Sequence, residues 1–211
     1  VGAQGDVGPT GPTPEFANEE ELVFGVSNDK AISPAILRSK SLHLDVPYLD
    51  FGAGNVKLVT FSPIQPWVKR VTLMIWDMKT DSTNMILIRF GHGAGTQNSG
   101  YRGTALVPAG TSPSTHLFSS AFAIHDNNAQ GASALRSGAI TFNYLGYDNI
   151  WTASGSIIQN SMNSFNTLDS TSRTIFISGS VSLAAQLSYI TIQTHSDLVA
   201  FSSGYANILM E

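Results

Sequence analysis

A chain of 211 residues with a net charge of −4 and only 12% charged side chains, about half the usual share, has no basic patch for nucleic acid and no charge run that reads as disorder. Cysteine is absent, which excludes a disulfide framework, a thiolate zinc site and a cysteine nucleophile while leaving the redox compartment open. No apolar run of about 18 residues and no leader-like opening occur, so a soluble chain without membrane insertion is expected, and the start at Val1 rather than Met suggests a piece or a processed product of something longer.

Gly2, Gly5, Gly8 and Gly11 fall three residues apart through residues 1–14, the spacing of a collagen-like stalk in which only glycine fits at the axis of three wound chains. A monomeric Gly/Pro-rich linker is the alternative reading of so short a repeat. Residues 15–40 change character. Asn18 followed by Glu19, Glu20 and Glu21 predicts a helix start with a capping box, ending at Gly25, and Ser33-Pro34 predicts a second start. Helices this short are marginal alone and need neighbours, which a trimer would supply, so the segment reads as a helical coupling or trimerisation element.

From residue 41 to 211 the pattern is β. Apolar alternation predicts strands at 68–78, 84–90, 101–107, 116–124, 139–145, 150–155, 173–181, 187–194 and 205–210, with weaker ones at 41–46 and 56–61. The polar stretch 79–83 reads as a hairpin turn between the first two. Without any crossover helix, a parallel sheet is disfavoured and a mainly β antiparallel sandwich of jelly-roll type is expected. Long Gly/Ser/Asn connections at 91–100, 125–137 and 159–172 are where binding would sit.

Chemistry for catalysis is sparse. The histidines His43, His92, His116, His125 and His195 stand singly, with no ligand-pair spacing, and no metal or other cofactor is expected. The stretch Gly91-His92-Gly93-Ala94-Gly95 lacks the Lys-Ser/Thr of a phosphate loop and reads as a β-hairpin loop. No glutamate occurs between Glu21 and Glu211, which removes the commonest acid of a glycoside hydrolase, and no Gly-x-Ser-x-Gly is present. No catalytic residues are assigned and the chain is read as a non-enzyme. What the β region offers is aromatic and amide groups near loops: Tyr101-Arg102, Tyr144, Tyr147-Asp148-Asn149 and Trp151, a chemistry suited to sugar faces and rims. For Trp151 core packing is the favoured reading.

The stretch Pro14-Glu15-Phe16-Ala17-Asn18-Glu19-Glu20-Glu21-Leu22-Val23-Phe24-Gly25, then Asn28-Asp29-Lys30-Ala31-Ile32-Ser33-Pro34-Ala35-Ile36-Leu37, resembles a segment common in tailed-bacteriophage fibre proteins. Ile64-Gln65-Pro66-Trp67-Val68-Lys69-Arg70-Val71-Thr72-Leu73-Met74 is similar to the first long strand of a domain at the C-terminal ends of such fibres. Leu187-Ser188-Tyr189-Ile190-Thr191-Ile192-Gln193-Thr194 and residues 201–211 are similar to its last two strands, with Ser202-Ser203-Gly204 where that family usually has Asp-Ala-Gly.

The resemblance implies a virion protein, a homotrimeric fibre tip attaching to a bacterial surface glycan or protein receptor and joined to other fibre or baseplate proteins. A structural head fibre or trimerisation cap is the alternative. Residues 91–172 match nothing in that family, and host specificity is expected there. The contact residues expected are Tyr101, Arg102, Asp126, Asn127, Tyr147 and Asp148.

Overall fold

The computed structural model describes residues 44–45, 49–50, 56–81, 85–108, 113–125, 134–160, 172–196 and 198–211, all within one compact unit, His43–Glu211. The glycine triplets Gly2, Gly5, Gly8 and Gly11, both expected helices, and Asp126 and Asn127 lie outside the described residues.

Every regular element among the described residues is a strand, and every pairing is antiparallel. The large sheet runs in the order β1 (Leu44–Asp45), β14 (Phe201–Met210), β4 (Arg70–Thr80), β10 (Leu135–Tyr144), β11 (Ile150–Asn160), β12 (Arg173–Ser182), β7 (Tyr101–Val107), β8 (Ser114–Phe118), and β2 (Leu49–Asp50) also pairs with β14. The smaller sheet runs β3 (Leu58–Phe61), β13 (Tyr189–Thr194), β5 (Ile86–His92), β6 (Gly95–Thr96), and β9 (Phe122–Ile124) also pairs with β5. One apolar core draws on both sheets, an arrangement consistent with a β-sandwich.

Period-two patterning explains the large sheet. In β4, Val71, Leu73 and Ile75 face inward, and beyond Asp77 the inward set resumes at Met78 and Thr80. Asp77 has φ of 51°, so one extra residue is spent there, and the register against β10 shifts between Arg136 and Gly138. β14 shifts beside it, between Phe201 and Tyr205, where Gly204 adopts φ of 110° against the backbone of Met78. A side chain at Gly204 would collide with that backbone.

Two expectations are corrected. Strands β4 and β5 are not a paired hairpin: β4 lies between β14 and β10, while β5 pairs with β13, β9 and β6 in the other sheet. β5 is buried on both of its faces, so its place is inside the smaller sheet rather than against β4. The run read as one strand at 116–124 is two, β8 and β9, because Ser119 and Ser120 carry the chain from the large sheet to the small one.

Tyr101 ties the sheets together. Its hydroxyl accepts the Phe90 N–H at 2.8 Å and donates to the Gln97 carbonyl at 3.2 Å, so β7 of one sheet holds β5 of the other. Burial, the largest effect, pushes the phenol up to about 12. Tyr101→Phe is expected to cost about 1–3 kcal/mol, since it strands a buried N–H. Urea denaturation checks this, with a midpoint unchanged from wild type as the contrary result.

Candidate functional site

One end of the large sheet gathers most of the aromatic and amide groups. Tyr144 of β10 pairs across to Trp151 of β11, Trp151 to Val181 of β12, and Val181 to Tyr101 of β7, so these residues form one row near the ends of four strands. Beyond the row, residues 145–149 close the β10–β11 hairpin. Asp148 and Asn149 both have φ of 49°, and the Ile150 N–H donates to the Tyr147 carbonyl at 3.1 Å, which is a type I′ turn with the short polar residues that tolerate it.

Three connections wall a cleft at this end. Gln65, Pro66, Val68 and Lys69 come from the loop before β4, Asn149 from the hairpin, and Gln186 and Leu187 from the link between β12 and β13. With Tyr144 and Trp151 they enclose about 320 Å³. Backbone hydrogen bonds hold the walls: Ile64 N–H to Ser188 O at 2.8 Å, Leu183 N–H to Asn149 O at 3.2 Å, and Tyr144 N–H to Lys69 O at 2.8 Å. The Lys69 ammonium sits 4.5 Å from the Tyr144 ring centroid, a cation–π contact that keeps the charge beside the cleft.

The lining thus offers three amides, one ammonium, a half-buried phenol and apolar ring surface, with no carboxylate. Such a set can hydrogen-bond hydroxyls and cover the apolar face of a sugar ring. The Trp151 indole packs edge-on against Phe90 at 5.8 Å, so most of it belongs to the core and only part can face the cleft.

The expected contact residues divide. Tyr147 is 58% exposed and Asp148 is exposed, both at the rim of this end. Arg102 is exposed on the outer face of β7, paired with Ser180 of β12. Tyr101 is a correction: it is 2% exposed with its hydroxyl engaged inside, so it supports the sheet end from within and is not a surface contact. Gln65, Lys69 and Gln186 were missed, because loop residues carry no periodic signal. The 91–100 connection does form a hairpin with β6, closed by His92, whose Nδ1 accepts the Ala94 N–H and whose Nε2–H donates to Gln97 Oε1 at 3.2 Å.

Histidines scattered in sequence meet in space. The rings of His116 on β8 and His125 after β9 lie 4.4 Å apart, centroid to centroid. Burial first, then the charges of His125 and His195, hold His116 below the ordinary 6.5. Folding therefore favours its neutral form: that stability is present above 6.5 and is lost as pH falls through the depressed value. Thermal unfolding at about pH 7.5 and about pH 5 is expected to show an acid loss that His116→Gln reduces, and an equal loss in both proteins would be the contrary outcome. Among the described residues no three His, Asp or Glu side chains are placed to hold a metal ion.

No protein-family model, no curated protein and no solved structure matches this chain.

Proposed function

We propose that the chain is the distal part of a tailed-bacteriophage fibre, three copies wide, whose β domain attaches the virion to a glycan on the bacterial surface. It binds and does not turn its ligand over. The observation that carries the binding role is the cleft of Gln65, Lys69, Tyr144, Asn149 and Gln186, a polar and aromatic pocket on a rigid sheet end. The glycine triplets at the N-terminus and the sequence resemblances support the fibre setting.

Strand order supports the finer reading of a jelly roll. Taking β1, β3, β4, β5, β9, β10, β13 and β14 as first to eighth, one sheet runs first, eighth, third, sixth and the other second, seventh, fourth, fifth. That is the order two interleaved Greek keys produce, with β11, β12, β7 and β8 extending the larger sheet. Avidity suits such a tip: three linked weak sites gain effective concentration without new contacts.

One observation favours the structural alternative. Leu44 opens β1 beside Met210, and Lys69 N–H donates to the Glu211 carbonyl, so the cleft adjoins the end at which the chain enters the sheet. On the structural reading a virion partner, rather than a host glycan, occupies that cleft.

Binding of the intact chain to host-range bacteria and to their extracted surface glycans separates the two. For an adhesin, wild type binds saturably and Tyr144→Ala weakens binding by about tenfold or more, the loss expected for one aromatic contact. Binding unaffected by Tyr144→Ala would move the site out of the cleft. A chain that binds no cell would establish the structural role instead.

A further inference from the structure

Among the described residues that line the cleft at the sheet end, Lys69 is the one cation, and its placement is built. The backbone of Lys69 is pinned from both sides: its N–H donates to the Glu211 carbonyl at 2.7 Å, and its carbonyl accepts the Tyr144 N–H at 2.8 Å. Just before it, residues 65–68 form a turn closed by the Val68 N–H on the Gln65 carbonyl at 3.1 Å, with Pro66 where its fixed φ suits a turn. The Lys69 side chain folds back over that turn. Its ammonium donates to the Pro66 carbonyl at 3.4 Å and lies over the Tyr144 ring, 4.5 Å from the centroid, so a ligand approaching this face of the phenol meets a positive charge before it meets the ring.

Charge at this end is not balanced. Arg70, the next residue, is paired with the Glu211 carboxylate at 3.4 Å, whereas Lys69 has no ion-pair partner among the described residues. No acidic side chain is among the described residues that line the cleft, and Asp148 of the adjoining turn stands at the rim, outside that lining. An ammonium has three N–H donors; Pro66 takes one, which leaves two. The side-chain amides of Gln65, Asn149 and Gln186 make no hydrogen bond among the described residues either, so their donors and acceptors are open to a ligand.

We infer that the cleft takes an anionic saccharide, with an acidic oxygen, from a carboxylate or a phosphodiester, on the Lys69 ammonium and the hydroxyls of the same unit on the three amides. This rests on the glycan-binding reading proposed above and names the charge class of that glycan. A cation with no acid beside it in a partly enclosed site favours an anionic ligand, because a charge-assisted hydrogen bond is about twice as strong as a neutral one. The aromatic groups point the same way. Lys69 covers one face of Tyr144 and the Trp151 ring lies 5.5 Å from it, which leaves less of the phenol for stacking on a neutral sugar than for holding the cation. A cleft of about 320 Å³ is small, so it recognises one charged unit rather than a long stretch of polymer.

Binding of the intact chain to surface glycan extracted from host-range bacteria tests this, with Lys69→Met, which keeps a long apolar stem and removes the charge, and Lys69→Arg, which keeps the charge. The hydrogen bonds that pin position 69 are made by backbone, so both variants are expected to fold, and urea midpoints close to that of wild type verify it. In about 50 mM salt Lys69→Met is expected to bind about fivefold more weakly, or weaker still, with most of the loss restored by Lys69→Arg and the difference shrinking in about 500 mM salt. Carboxyl reduction of the extract abolishes the difference if the anion is a carboxylate; hydrofluoric acid, which cleaves phosphodiesters, abolishes it if the anion is a phosphate. A Lys69→Met chain that binds untreated glycan as well as wild type does, or whose deficit survives both treatments, would overturn the anionic class and leave a neutral glycan in the cleft. A wild type that binds no extract would overturn the glycan reading itself, and this inference with it.

Discussion

With Phe122 replaced by alanine, the β domain is expected to lose about 3–5 kcal/mol of stability, the cost of emptying a large buried aromatic site. Phe122 is fully buried on β9, and its ring meets four others: Tyr101 at 5.1 Å, Phe142 at 5.4 Å, Phe118 at 5.6 Å and Phe90 at 5.7 Å. Phe122 and Phe90 belong to the small sheet, whereas Phe142, Tyr101 and Phe118 belong to the large one, so the ring joins the two layers. The three approaches to Phe90, Tyr101 and Phe118 are edge-to-face, a geometry worth about 0.5–1.5 kcal/mol per pair beyond area burial. Set against a total of roughly 5–15 kcal/mol for a folded domain, the loss leaves a marginal protein. Urea denaturation at fixed protein concentration measures it as a lower midpoint with an unchanged slope. A loss below about 1 kcal/mol would mean that the five-ring cluster does not join the sheets.

Gly103→Val is expected to cost more than about 3 kcal/mol, above the range in which overpacked sites relax. Gly103 of β7 faces Gly179 of β12, and the Phe118 ring from the edge strand lies over both. A Cβ at Gly103 would fall 2.6 Å from the Gly179 Cα and 2.6 Å from the Phe118 ring, and closer still to the Ser178 carbonyl. Backbone cannot give way as a flexible side-chain end can. The ring would have to leave, taking with it the contact with Phe122. Gly93→Ala is the matched control, because a Cβ there meets nothing within 4 Å, and its effect should stay within about 0.5 kcal/mol. Equal stabilities for the two variants would contradict the pairing of β7 with β12 in this register.

The strands were legible because period-two burial leaves a direct trace in sequence. The run read at 101–107 is β7 residue for residue, and 173–181 falls one short of β12. Partnership was less legible than existence. β4 and β5 looked like a hairpin since a short polar stretch separates them, but pairing is decided by which sheet each strand must complete, and that depends on β10, β13 and β14 far along the chain. Ser119 and Ser120 hid a change of sheet because serine is common both in strands and in bends.

The site shows the same limit. Tyr147 and Asp148 stand out in sequence as aromatic and polar groups beside a loop, and they are exposed, whereas Tyr101, expected at a contact, is buried because its hydroxyl has a partner from β5 that sequence does not pair with it. Gln65 and Gln186 come together only through the fold.

The last strand of the large sheet carries a further consequence. Among the described residues β8 pairs with β7 alone, and an edge strand of that kind is a template on which a stray chain adds and propagates a fibril. Its brevity and surroundings oppose that. Pro113 stands directly before Ser114 and has no N–H to donate, and after five residues the chain turns away into the opposite sheet. A growing aggregate would find a ledge too short to climb.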